Sequence, residues 1–144
     1  MKGVRLDHAT IDTDDVAASV AFYGHYLGLK PGWRPPFGVG GAWLYAADGD
    51  YPILHLLERP KREGSGMFNH IAFRGEGLPA YIEKLRNDGC WFEARPVDET
   101  PYTQIHHFDP NGVRIEITFE EPLGAARIAS DDSAPAGRSV LDPD

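Results

Sequence analysis

One plan runs through the chain twice, and that repetition limits the folds open to it. Residues 4–11 have the composition of a strand. Thr13 or Asp14 is placed to cap a helix whose apolar residues Val16, Val20, Tyr23 and Leu27 recur at helical spacing, and Gly28 follows as a stop signal. Three short strand-like runs come next, at 29–34, 41–46 and 52–57, divided by Gly, Pro and Asp clusters. The second half keeps the order. A strand at 67–74 precedes a helix with Leu78, Tyr81, Ile82 and Leu85 on one face and Gly89 at its end, then strands at 91–96, 102–108 and 113–119. Asp109-Pro110-Asn111-Gly112, between the last two, puts Pro and Gly in favoured turn positions. The expected fold is α+β: two βαβββ modules, 4–58 and 67–119, in a single domain spanning 1–120.

The halves also agree in register. His8 to His55 spans 47 residues, and His70 to Glu116 spans 46. Asp48 precedes His55 by seven, and Asp109 precedes Glu116 by seven. Side chains two apart on a strand share a face. His8 then lies with Leu6 and Thr10, His70 with Phe68 and Ala72, and Glu116 with Arg114 and Thr118, each opposite an apolar face free to cover a helix. A polar residue set mid-strand among hydrophobics destabilises the fold unless it is partnered. An ordinary hydrogen bond would satisfy any one of these histidines. A divalent metal would satisfy His8, His70 and Glu116 together. Two imidazoles and one carboxylate suit non-haem Fe(II), and Zn(II) and Mn(II) accept the same set.

Composition narrows the partners. The 144 residues suit one soluble domain. No apolar run approaches the roughly 18 residues of a membrane span. The opening Met1-Lys2-Gly3-Val4-Arg5 lacks a secretory apolar core, so a cytoplasmic location is expected. A net charge of −8 repels phosphate backbones and argues against nucleic acid as a partner. Cys90 is the single cysteine, which leaves no intrachain disulfide and no cysteine metal site. Residues 121–144 read as an acidic tail rich in Ala and Pro.

Four segments carry a resemblance: Leu6-Asp7-His8-Ala9-Thr10; Ala18-Ser19-Val20-Ala21-Phe22-Tyr23 with Leu27-Gly28-Leu29; Asn69-His70-Ile71-Ala72-Phe73; and Phe108-Asp109-Pro110-Asn111-Gly112-Val113-Arg114-Ile115-Glu116. Over about 3–120 the chain resembles the vicinal oxygen chelate superfamily. That group holds glyoxalase I, fosfomycin and bleomycin resistance proteins, methylmalonyl-CoA epimerase and extradiol dioxygenases. The resemblance implies a funnel of curved mixed sheet around one divalent metal ion, held by His8, His70 and Glu116. Fe(II) is favoured, with Zn, Mn, Ni or Co as alternatives. Because modules of this superfamily often pair across chains, it also implies a homodimer.

His55 stands where glyoxalase I and the epimerase supply a fourth metal ligand, a glutamate or glutamine. In residue type it resembles instead the proton-moving histidine of extradiol dioxygenases. His106 and His107 fall on opposite strand faces, so at most one of them faces the metal. His106, three residues before Asp109, is the candidate substrate or acid–base group. The dioxygenase pattern also carries a histidine upstream, where this chain has Val97, Asp98 and Glu99. A fosfomycin-type lysine is likewise absent from Arg95-Pro96-Val97-Asp98. Trp33, Phe37, Trp43 and Tyr45 read either as core or, with Thr10, as a pocket for a flat or hydrophobic small-molecule substrate. Three functions follow as expectations. The first is a metal-dependent dioxygenase acting on a substrate with vicinal oxygens. The second is a glyoxalase- or epimerase-type lyase or isomerase on the same site. The third is a binding protein without chemistry, of the bleomycin-resistance kind.

Overall fold

A computed structural model of the chain describes residues 6, 8–36, 38–60 and 70–130. Phe37, residues 67–69 and the end of the acidic tail, 131–144, lie outside the described residues. Two compact units are present: Met1–Gly66 together with Asp109–Gly112, and Met67–Phe108 together with Val113–Asp144.

In the first unit β1 (Ala9–Thr13) leads into α1 (Val16–Leu27), then β2 (Lys30–Pro31), β3 (Gly41–Tyr45) and β4 (Pro52–Glu58). These strands form a mixed sheet in the order β1-β4-β3-β2, with β1 parallel to β4 and the other pairs antiparallel. The helix cap is Asp15, not Thr13 or Asp14. The Asp15 carboxylate accepts the Ala18 amide at 2.8 Å. The Thr13 side chain turns inward, where its hydroxyl pairs with Ser19. Gly28 ends the helix at φ 69°, a left-handed conformation that other residues resist. Gly41 is the other glycine the fold requires. At φ 145° it passes so close to β4 that a Cβ there would lie 2.0 Å from the Leu56 carbonyl oxygen. β2 keeps only two residues of the expected 29–34, with one more bond from the Gly32 amide to the Trp43 carbonyl. The core of the unit joins Tyr23 of α1 to Ile11, Leu44, Leu54 and Leu56. The turn Asp109–Gly112 closes over α1: the Tyr23 hydroxyl donates to Asp109 at 3.0 Å, and the Asn111 amide donates to Ser19 at 2.9 Å.

The second unit repeats the plan with β5 (His70–Gly75), α2 (Leu78–Asn87), β6 (Glu93–Pro96), β7 (Thr103–Phe108) and β8 (Arg114–Phe119), and it adds β9 (Ile128–Ala129). The sheet order is β5-β8-β7-β6-β9, and β5 and β8 run parallel. Ile82 and Leu85 of α2 are buried, as are Phe92, Ala94, Ile105, Ile115 and Phe119. Residues 121–130, tail-like in composition, are built into this unit. The Glu121 carboxylate accepts the Gly77 and Leu78 amides at the start of α2. β9 pairs with the outer edge of β6, and Arg127 beside it forms an ion pair with the buried Glu93. No described helix is long and apolar enough to cross a membrane.

Candidate functional site

Sheet register decides which polar side chains meet. In the second unit His106 of β7 lies directly across from Glu116 of β8. Ala72 of β5 lies on the other side of Glu116, so His70, two residues earlier, falls on the same face. The side chains follow suit. His106 Nε2 is 2.9 Å and His70 Nε2 3.5 Å from Glu116 Oε2. Gln104 and Thr118, each two residues along its strand, donate to the other oxygen, Oε1, at 3.0 and 2.9 Å. The hydrogen bond from His106 is the main influence holding the Glu116 carboxyl below its ordinary range. Burial opposes it, and Thr118 and the charges of His106 and His70 assist. An ionised carboxylate only accepts, so His106 Nε2 carries the hydrogen. That leaves His106 Nδ1, which is buried with no hydrogen-bond partner among the described residues.

His107 points the other way, as alternation requires. It is buried against α2, where its Nε2 lies 2.9 Å from the Tyr81 hydroxyl. Burial, and next the charge of His106, lowers its pKa to about 4. Burial also raises the Tyr81 phenol above its ordinary range, with the neighbouring Cys90 adding to the effect. The phenol therefore stays protonated and donates to a neutral imidazole.

The first unit has three side chains in the corresponding places. Trp43 of β3 lies directly across from His55 of β4, and Thr10 of β1 flanks His55 on the other side. His8, two before Thr10, shares that face. Here the contacts are stacked rings. Trp43 and His55 have centroids 4.1 Å apart and planes 4° apart, and His8 and His55 are 3.9 Å apart at 22°. Trp33 meets Trp43 edge-on at 6.4 Å and is 72% exposed. Tyr45 donates its hydroxyl to the Trp33 carbonyl, and its ring lies against Gly32. Thr10 is exposed.

The family is now identifiable. A model of the Glyoxalase/Bleomycin resistance protein/Dioxygenase superfamily matches residues 5–117. The chain belongs to that superfamily. Among solved structures, a genomically encoded fosfomycin resistance protein from Listeria monocytogenes is similar at 18% identity and TM-score 0.64, covering 83% of this chain and 93% of that one. The glyoxalase I of Leishmania major is similar at 21% identity and TM-score 0.66, covering 82% and 88%. A further structure of the Listeria protein, complexed with Mn(II) and a sulfate ion, is similar at 17% identity and TM-score 0.61, covering 83% and 93%. At these identities the likeness establishes the fold. No curated protein matches.

Among the described residues, no group of three His, Cys, Asp or Glu side chains is arranged to hold a metal ion by itself. What the second unit offers is a half-site. Glu116 Oε1 is anchored by Gln104 and Thr118, and Oε2 is turned toward the ring nitrogens of His70 and His106. A carboxylate steadied on one oxygen beside an imidazole is a donor set that fits a divalent ion. Sequence reasoning missed Gln104 and Thr118. Their signal was the two-residue period that already placed His106 and Glu116 on one face. It also missed the ion pairs of Glu93 with Arg95 and Arg127. These burial-opposing contacts hold the Glu93 carboxyl low.

Proposed function

We propose that this superfamily member is a divalent-metal-dependent enzyme acting on a small substrate with two neighbouring oxygens, and that the metal is held by His8, His70 and Glu116. The observation that supports it most is the matched geometry of the two units. His8 lies two residues before Thr10, which pairs with His55, as His70 lies two before Ala72, which pairs with Glu116, and Glu116 stands ionised beside His70 with one oxygen anchored. When bound, the metal would act as Lewis acid and template for the two substrate oxygens. The chain's own residues do the rest. His106 and Gln104 orient the Glu116 carboxylate, and His106 is assigned as the acid–base group toward a substrate hydroxyl. His55 takes a proton at its ring edge and returns it. Thr10, Trp33, Trp43 and Tyr45 are assigned to the substrate side of the first unit. Fe(II) is the preferred metal, because three protein ligands leave room for a bidentate substrate and dioxygen, and the favoured activity is a dioxygenase reaction. We assign a homodimer as the working form.

Elemental analysis of freshly purified protein, with Glu116→Ala beside it, tests this reading. One ion per chain, lost in the variant, is expected. Full metal content in Glu116→Ala refutes the ligand assignment, and a metal-free wild type that still binds small cationic drugs favours a binding protein. Oxygen uptake with catechol-type substrates separates the dioxygenase from a lyase or isomerase on the same ligands.

A further inference from the structure

His55 could reach an ion held by His8 or stand beside it, and the ring stack distinguishes the two. An imidazole binds metal along a lone pair lying in its own plane, with the ion about 2 Å from the nitrogen. The planes of His8 and His55 are 22° apart, and their centroids are 3.9 Å apart along the stack. The in-plane lone pairs of His55 would therefore not point at an ion that His8 held. What prevents His55 from rotating into line is Trp43. The indole covers the opposite face of the ring, parallel to within 4°. Trp33 buttresses the indole edge-on. The pairing of Trp43 with His55 across β3 and β4 fixes this arrangement in the backbone.

The two units sharpen the point. Relative to the last strand of each module, Trp43 stands where His106 stands. In the second unit the residue at that place hydrogen-bonds its cross-strand partner through a nitrogen. In the first, the residue at that place lays its indole flat on its cross-strand partner. The module that supplies His8 is thereby built to present a second imidazole by its edge.

Resting on the metal reading given above, we propose that Trp43 is a positioning residue: it clamps His55 against His8 as a non-coordinating imidazole and sets the plane of the His8 ring. The test has two arms. In metal-free protein, the His55 ring protons observed by NMR are expected upfield, shielded by the indole. Trp43→Leu should abolish that shift and disturb the His8 signals, Trp43→Phe should restore part of it, and the backbone amide spectrum should stay that of the folded protein. Unchanged His55 and His8 signals in folded Trp43→Leu overturn the clamp. The second arm titrates Zn(II) into wild type and His55→Ala. A neighbour that only orients a ligand is worth about 10–100-fold in metal affinity, so a loss within that range is expected. A loss beyond about 100-fold makes His55 a ligand and overturns the proposal. If the wild type takes no Zn(II), Mn(II) or Fe(II), the metal reading fails, and the clamp is judged by the ring signals alone.

Discussion

Acid should weaken this protein through His107 more than its other titrating groups would suggest. The imidazole is buried behind the second sheet and accepts a hydrogen bond from Tyr81 at 2.9 Å. Protonation removes that acceptor and places a charge among apolar groups beside His106. The folded-state pKa is accordingly lowered to about 4 from an ordinary 6.5. Between those two values the unfolded chain binds a proton that the folded chain refuses. Stability contributed by neutral His107 is thus complete above pH 6.5 and is lost as the pH falls toward 4. The loss amounts to about 1.4 kcal/mol by pH 5.5 and about 3 kcal/mol by pH 4. Urea unfolding of wild type and His107→Gln at steps from pH 7.5 to 4 measures it. The variant starts less stable, because it loses packing and the Tyr81 contact. Its stability should nevertheless fall less steeply, by about 3 kcal/mol across the range, since Gln does not titrate. The difference between the two curves reads the substituted position. Parallel curves would refute the reasoning.

Other outcomes are as concrete. Asp15→Ala removes the cap of α1 and should lower stability by about 1 kcal/mol, read as a lower urea midpoint with unchanged slope. Tyr23→Phe deletes a buried donor to Asp109 and should cost about 1–3 kcal/mol, measured in the same way. With His55 as the proton carrier, His55→Ala should lower turnover about 10²–10⁴-fold in steady-state assays. Sedimentation at micromolar concentration should report a dimer, and a monomer would remove the homodimer assignment.

The repeat and the order of its elements are legible in the sequence because helix and strand impose different periods, and turn residues separate them. The faces of His8, His70, His106 and Glu116 are legible for the same reason. Register is a different matter. Counting back from the β3–β4 turn with Tyr45 opposite Pro52 would set Trp43 against Leu54. A bulge between Leu44 and Tyr45 adds one residue and sets it against His55. The ring stack depends on that one residue, and nothing in the spacing of aromatic residues announces it. The helix cap slipped by one or two residues because Thr13, Asp14 and Asp15 are all capping types, and burial of the Thr13 hydroxyl decides among them. β9 was illegible because a two-residue strand has no period. It is held by the distant contacts of Arg127 with Glu93 and of Ser130 with Phe92.

The turn Asp109–Gly112 belongs by its contacts to the unit built from the beginning of the chain. The boundary between the two repeats in sequence is therefore not a boundary at which the protein can be cut. A fragment ending at residue 66 would contain Tyr23, fully enclosed, with its phenol deprived of the Asp109 carboxylate, and Ser19 without the Asn111 amide. Ser19 keeps the Thr13 hydroxyl, but a phenol orphaned in this way carries a penalty of about 1–3 kcal/mol, a large share of what so small a module can hold. Such a fragment would need the missing tetrapeptide supplied in trans, within the remaining half of the chain, before its core could close.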